Sequence, residues 1–544
     1  MTGTLFYAFL TSLLVGTVLT PCLIIGATWM RLFDQPGPRK VHKEPIARVG
    51  GIAFGIGSLI SIGYWAPPSN LTRGILAAAL IILVMGSVDD FFDLRVRSKF
   101  AGQFLAAGIV AIYGHLSWQP FFMLFGLTLP PWLAIPLTMI LLVTMTNAMN
   151  LSDGLDGLAG GLSFLSFGLV AYLAFQMDAA LVVLLTLPVM GGLLGFLRFN
   201  TFPARVFMGD GGSQFLGFLL GAAALVLTQA ETSPLSPLLV VFFIGVPLLD
   251  LVAVMIQRLL TGRGPFQPDK EHLHHKLLRV GFTHHQVVLL LYLFQIGIIV
   301  LAFLCRWSSG LLLVGLYLLL FAGVGTLYSL VYSGQLSANS FQKWSAGPLY
   351  WRSWLQSKRW VSHGSFYGLA VGMVGFLLLG LMLPSTLPDQ GRYFVAGFGA
   401  FVLGGNWGNT QTRLLMTRMG LYLGSTFVLY GVEHALFDAT LWLHLLFQSF
   451  FGFLVIGLIL AIHLDPDKRF TPNPMDYLLL FLALVLPVIF DIQWGRVQVG
   501  EMIGKLIVLF FVCEVMLQAF SKKLRHLSYV SGGALLTLAV RMFW

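Results

Sequence analysis

Helix-length apolar runs dominate this chain, and they constrain its fold more than any other feature. About eleven of them precede residue 333, near 5–29, 50–66, 71–88, 100–116, 131–147, 157–175, 179–197, 213–230, 237–257, 287–305 and 309–332. About seven more follow, near 365–383, 393–410, 417–434, 438–462, 475–492, 501–520 and 528–543. Of 544 residues, 57% are hydrophobic and only 10% are charged, more apolar surface than a soluble domain can bury. The sequence therefore predicts an all-α, polytopic integral membrane helix bundle. Its 60 glycines fit that class, because small residues let membrane helices approach closely.

Charge orients the bundle. One set of alternate loops carries Arg31, Arg39, Lys40, Lys43 and Arg48, then Arg95, Arg97 and Lys99, then Arg198 and Arg205, then Arg258 to Arg279. The other set, before residue 333, carries only Arg73 and Arg306. The positive-inside rule places the first set in the cytoplasm and the N-terminus outside, and it accounts for the net charge of +10 without a nucleic-acid partner. No basic residue precedes the first run, so that run reads as an anchor rather than a cleaved signal. Cys22, Cys305 and Cys513 suit neither a disulfide framework nor a zinc site.

The polar motifs gather in the basic loops or at the helix ends bordering them. VDDFFDL places Asp89, Asp90 and Asp93 where the third helix leaves the membrane. Adjacent carboxylates there repel one another and sit at the negative end of a helix, so they call for an opposing cation; a solvated acidic loop is the plainer alternative. NAMNLSDGLDGLAGG supplies Asn147, Asn150, Asp153 and Asp156. If the sixth helix begins at this point, the two aspartates share its face, although Asp153 could instead serve as a helix cap. RVFMGDGGSQ sets Asp210 between glycines, which suits a tight turn whose amides cradle phosphate beside one hard oxygen ligand. PDKEHLHHKLLRVG brings His272, His274 and His275 into a basic loop, with His272 and His275 on one helical face. Phosphate contact, zinc ligation and simple solvation compete as readings there, and zinc lacks a nearby cysteine. Asp250, inside the ninth run, is a functional or ion-pairing candidate because an acid in the membrane is costly. No Walker A, GxGxxG or GxSxG element accompanies these motifs, which leaves metal-assisted phosphoryl chemistry on a substrate that meets the membrane.

Through HKEPIARVGG, VDDFFD, NAMNLSDGLDGLAGG, FMGDGGS and PDKEHLHH, in that order, residues 1–332 resemble the polyprenyl-phosphate N-acetylhexosamine-1-phosphate transferase family. The histidine segment and Asp93 resemble its GlcNAc-1-phosphate branch more than its muramyl-pentapeptide branch. The resemblance implies a UDP-N-acetylhexosamine donor, a polyprenyl phosphate acceptor such as undecaprenyl phosphate, release of UMP, and Mg²⁺ or alternatively Mn²⁺. Asp210 matches the family's metal ligand. Asp89 and Asp90 match the pair linked to the lipid phosphate, with Asp90 as positioned base. Asp153, Asp156 and Asn150 match its diphosphate- and nucleotide-side set, and Asp93 joins the substrate-binding group. His272, His274 and His275 match the histidine motif near the nucleotide phosphates, and Lys43 is a further nucleotide-site candidate. Direct displacement and passage through a covalent aspartyl-phosphate both stay open. The implied location is the bacterial cytoplasmic membrane with the site facing the cytoplasm, and a homodimer is left open.

Three regions are expected: a membrane-embedded transferase at 1–332, an amphipathic interfacial linker at 333–364, and a C-terminal transmembrane region at 365–544 of unassigned role. The linker reading rests on Trp344, Trp351, Trp354 and Trp360 among Lys343, Arg352, Lys358 and Arg359. A transporter or scaffold fused to the enzyme is the alternative for the tail, in which Glu433, His434 and Asp438 read as a small site or as loop polars.

Overall fold

A computed structural model gives the architecture. It describes residues 2–30, 33–34, 45–118, 129–229, 233–264 and 271–333, then chiefly 359–380, 410–436, 441–464 and 497–519. Its contacts divide the chain into two compact units, Met1–Gln342 and Lys343–Trp544.

In the first unit the helices are α1 (Thr2–Met30), α2 (Gly50–Trp65), α3 (Asn70–Phe92), α4 (Val96–Gly108), α5 (Pro131–Leu151), α6 (Leu158–Gln176), α7 (Ala180–Asn200) and α8 (Gly209–Gln229). They continue with α9 (Leu239–Ile244), α10 (Val246–Leu260), α11 (Leu273–Val280), α12 (His284–Leu304) and α13 (Gly310–Tyr332). A short antiparallel pair, Phe33–Asp34 with Ile46–Ala47, stands before α2, and Ala47 also bridges Val206. Across both units, ten helices among the described residues are long and apolar enough to cross a membrane, and the chain is a multi-pass membrane protein.

Three apolar runs are shaped differently from a simple spanning helix. The run at 100–116 is α4 continued by a wider π-helical turn at Ile109–Tyr113. The run at 237–257 is broken into α9 and α10 at Gly245, whose φ of +61° suits glycine alone. Gln295 of α12 covers that break by accepting the Val246 N–H at 2.9 Å. The third is Gly50–Trp65, only 16 residues long.

Helix α8 is the axis of the unit, nine-tenths buried and packed by α2, α3, α5, α6, α7 and α9. Lipid is as apolar as leucine, so burial of hydrocarbon does not drive this packing; close van der Waals approach does. Glycines make that approach possible at the start of α8. A Cβ on Gly86 of α3 would lie 2.5 Å from the Cα of Gly211, and one on Gly51 of α2 would lie 2.4 Å from the Cα of Gly212. These backbone contacts bring the ends of α2 and α3 to the Asp210 turn.

The second unit contains α14 (Arg359–Gly380), α15 (Thr410–Leu436), α16 (Leu441–Leu464) and α17 (Val499–Ala519). Phe366, Met373, Leu429, Leu454, Phe511 and Val512 lie in its core. Two ion-pair groups tie α15 to α17: Arg418 with Glu514 at 2.8 Å, and Lys505 with Glu433 at 2.6 Å and Glu501 at 3.1 Å. Glu433 is thus engaged by a lysine, whereas the His434 side chain and Asp438 lie outside the described residues. So do the runs at 475–492 and 528–543, apart from Asp476, Gly532, Gly533 and Thr537, and the tryptophan-rich stretch from Trp344 to Trp354.

Candidate active site

The last turn of α3 carries Asp89 and Asp90, and Asp93 ends the helix in a left-handed conformation at φ 49°. Asp90 turns back to the start of α8. Its Oδ1 accepts the Asp210 N–H at 3.0 Å and its Oδ2 accepts the Gly211 N–H at 3.2 Å. These are amides that an α-helix leaves unpaired at its N-terminus, and a carboxylate is the favoured partner there. The Asp210 and Gly211 amides of the Gly-Asp-Gly-Gly motif are therefore taken by Asp90, because Asp210 lies inside α8 rather than in a free loop. Arg48, just after the Ile46–Ala47 strand, stands 3.8 Å from Asp90.

Asp89 accepts the Leu94 N–H at 2.8 Å and is paired with Lys99 of α4. Lys99 reaches further, to 3.6 Å from Asp210. One ammonium thus lies between two carboxylates from different helices. The Asp210 carboxyl also lies against Asp89 and the Asn150 amide, and Asn150 donates to Ser213 Oγ at 2.9 Å. Behind them, Asn147, Gln103 and Gln214 form a chain of amides, with Asn147 donating to Gln103 at 2.7 Å and Gln103 to Gln214 at 3.0 Å.

Asp153 and Asp156 do not share a helical face, because α6 starts only at Leu158, after Gly157 at φ +79°. Nor does Asp153 cap it, since the cap position is Gly157 and no side chain bonds there. Both aspartates stand in the preceding loop. Asp156 accepts the Ala204 N–H at 3.0 Å and so ties this loop to the segment before α8. Tyr292 and Asn200 hold the same loop: Tyr292 donates to the Gly157 carbonyl at 2.6 Å, and Asn200 accepts the Gly157 N–H at 3.0 Å. No hydrogen bond among the described residues engages the Asp153 carboxyl. Burial raises it first, then the negative charges of Asp210, Asp90 and Asp156; against the pull of Arg48 it is pushed up to about 8.

The histidines form a separate group. His272 and His275 do not share a helical face: His272 is the residue before α11, and its Nδ1 is 2.9 Å from Asp250. The His274 ring lies parallel to that of His272, 6.0 Å away, and rests on Gly154 so closely that a Cβ there would be 2.2 Å from its Nε2. The His275 ring lies against His274 at 4.3 Å, inclined by 46°. Burial, then the neighbouring His275, lowers His274 to about 3, so it is neutral at ordinary pH. Lys43, Asp269 and Lys270 lie outside the described residues.

The fold thus brings Asp89, Asp90, Asp153, Asp210 and Asn150 into one electrostatic cluster and sets the histidine group against its Asp153 loop. Asp93 is exposed beside it. Reading the sequence missed Lys99 and Arg48 as site residues, because both count equally well as loop charges. It missed Gln103 and Gln214 too, whose only signal is a polar amide within an apolar run.

Among known proteins, residues 72–228 match the model of glycosyl transferase family 4. The chain is 36% identical over 312 residues to a probable undecaprenyl-phosphate N-acetylglucosaminyl 1-phosphate transferase of Bacillus subtilis, covering 56% of this chain and 86% of that protein. It is 35% identical over 326 residues to a decaprenyl-phosphate N-acetylglucosaminephosphotransferase of Mycobacterium leprae, covering 53% and 80%. An undecaprenyl-phosphate alpha-N-acetylglucosaminyl 1-phosphate transferase of Escherichia coli O157:H7 is 33% identical over 270 residues, covering 48% and 72%. With most of each relative's length matched and the aspartate motifs assembled at one site, the chain belongs to the polyprenyl-phosphate N-acetylhexosamine-1-phosphate transferases of glycosyl transferase family 4.

Proposed function

We propose that this protein transfers GlcNAc-1-phosphate from UDP-GlcNAc to a polyprenyl phosphate at the cytoplasmic face of a bacterial membrane. An oxygen of the lipid phosphate attacks the β-phosphorus of the donor, the bond to the bridging oxygen breaks, and UMP leaves. The observation that carries the reading is the convergence of Asp89, Asp90, Asp153 and Asp210 from three segments, interleaved with Lys99 and Arg48. The names of the relatives supply the sugar and the lipid class.

Such a site suits a divalent cation. Its donors are hard oxygens, and the repulsion that raises Asp153 is what a bound cation relieves. Mg²⁺ commonly takes one or two carboxylates and completes its shell with water and substrate phosphates, so the carboxylates of this cluster would suffice. Asp210 and Asp153 would hold it, and charge neutralisation at the donor diphosphate is the chemistry it would supply.

The chain's own groups divide the remaining work. Asp90 anchors α8 and so fixes Asp210, and each of its oxygens keeps a further lone pair for the proton transfer that the resemblance implies. Lys99 offsets negative charge between Asp89 and Asp210. Asp156 holds the loop that carries Asp153, and the histidines border the donor phosphates. The family match lies within the first unit, so a chain ending near residue 340 should keep activity.

The test uses purified protein in detergent with undecaprenyl phosphate, Mg²⁺ and a panel of UDP-sugars that includes UDP-MurNAc-pentapeptide. UMP release and organic-phase sugar are followed. Product from UDP-GlcNAc alone, lost in Asp210→Asn, is the expected result. Product from the muramyl-pentapeptide donor instead would replace the sugar assignment.

A further inference from the structure

Asp250 stands apart from the carboxylate cluster, inside α10, and is 5% exposed. An acid within a membrane helix is costly unless partnered. Here three partners from two other elements meet it. Oδ1 accepts the Leu273 N–H at 2.9 Å and the Tyr328 hydroxyl of α13 at 2.5 Å, while Oδ2 faces Nδ1 of His272 at 2.9 Å.

We infer that Asp250 is a positioning residue for donor turnover, acting through His272 to seat the histidine segment on the Asp153 loop. This rests on the function proposed above. A carboxylate facing Nδ1 keeps a hydrogen on that nitrogen, which fixes the tautomer and orientation of the ring and leaves Nε2 for other contacts. The Leu273 N–H is one of the amides that α11 cannot pair internally, so the same carboxylate also anchors the start of α11. The line continues without a gap: His272 lies parallel to His274, and His274 rests on Gly154, the neighbour of Asp153.

Tyr328 closes the arrangement from the other side. Besides bonding Asp250, its ring lies 3.4 Å below the ammonium of Lys276, which donates to Gln257 at 2.8 Å. Lys276 is 1% exposed, so a charge on α11 is held by an aromatic face of α13. Helix α13 is otherwise only lightly buried, and it meets this group through Tyr328 and through Tyr332, whose hydroxyl donates to Glu271 at 2.9 Å.

Kinetics of the full-length protein with UDP-GlcNAc and undecaprenyl phosphate decide the point. Asp250→Ala should lower kcat/KM for the donor by about 10–100-fold, the range found when outer-shell partners of functional histidines are removed. The KM for the lipid should stay the same. Asp250→Asn, whose single acceptor oxygen can serve His272 or the Leu273–Tyr328 side but not both, should recover only part of the loss. Combined with His272→Ala, Asp250→Ala should add less than its own single loss, because the two share the route through the His272 ring. Additive losses, or no loss in either single variant, would overturn the inference. If Asp250→Ala does not fold, Tyr328→Phe combined with His272→Ala gives the same cycle.

Nitrogen-15 NMR of labelled histidine supplies a readout independent of activity. A ring with its hydrogen on Nδ1 should be present in the wild type and lost in Asp250→Ala or, failing that, shifted in Tyr328→Phe. An unchanged histidine spectrum contradicts the assignment. Wild-type protein that transfers nothing refutes the proposed function, while the spectrum still decides whether Asp250 fixes His272.

Discussion

Asp90 caps the helix that carries Asp210: its two carboxylate oxygens accept the N–H groups of Asp210 and Gly211 at 3.0 and 3.2 Å. One aspartate of the cluster is therefore scaffold for another, and the two should fail differently when altered. Asp90→Ala leaves two helix-end amides without their acceptor and should cost about 1–2 kcal/mol of stability as well as turnover. Asp210→Asn should abolish transfer yet leave the melting temperature in detergent unchanged or slightly higher, because it removes one of several mutually repelling carboxylates. Thermal unfolding of the two variants beside their transfer rates separates them; equal destabilisation would remove the distinction.

Lys99 is the cation between Asp89 and Asp210. Lys99→Met should reduce transfer at least tenfold, on the scale of losing an electrostatic group at a phosphoryl-transfer site. Lys99→Arg should retain part of the activity, since charge is preserved and only geometry changes. Steady-state rates at saturating donor check this, and a fully active Lys99→Met would make the residue a loop charge only.

The glycine contacts make a steric prediction. Gly86→Ala sets a methyl 2.5 Å from the Gly211 backbone, which can yield only if α8 moves. A cost of about 1–3 kcal/mol follows, with reduced turnover because Asp210 moves too. Gly297→Ala, where nothing lies within 4 Å of the added methyl, should be silent in both measurements.

Asp153 gives a pH dependence with a definite sign. Its carboxyl is raised from 3.8 to about 8 in the fold. Between those values the folded protein holds a proton that the unfolded chain has released. Its contribution to stability is thus complete below about 3.8 and is lost as pH rises through about 8. Metal-free protein should lose stability across this window more steeply than Asp153→Asn, and Mg²⁺ should flatten the curve. Unfolding midpoints in EDTA and in Mg²⁺ from pH 5 to 9 test it; identical slopes for wild type and Asp153→Asn would remove Asp153 as the cause.

The sequence carried the membrane class and the site's aspartates for physical reasons. Lipid permits few spanning structures, so long apolar runs translate directly into helices, and an aspartate cluster at the helix ends stands out against so apolar a background. Partnerships were less legible. That Asp90 grips the amides of α8, or that Asp250 faces His272, depends on residues 120 and 22 positions apart. Local spacing misled at Asp153 and Asp156, where Gly157 at φ +79° delays the helix to Leu158. Likewise the break at Gly245 is invisible to hydropathy, because both half-helices are apolar.

In the transfer proposed above, phosphorus travels with the sugar. The most direct test follows UDP-GlcNAc labelled with ³²P at the β-phosphate and ³H in the sugar, incubated with purified protein, undecaprenyl phosphate and Mg²⁺. Both labels should enter the organic phase in equal amounts, with unlabelled UMP left in water and no transfer by Asp210→Asn. Tritium entering the lipid while ³²P stays on the nucleotide would contradict it.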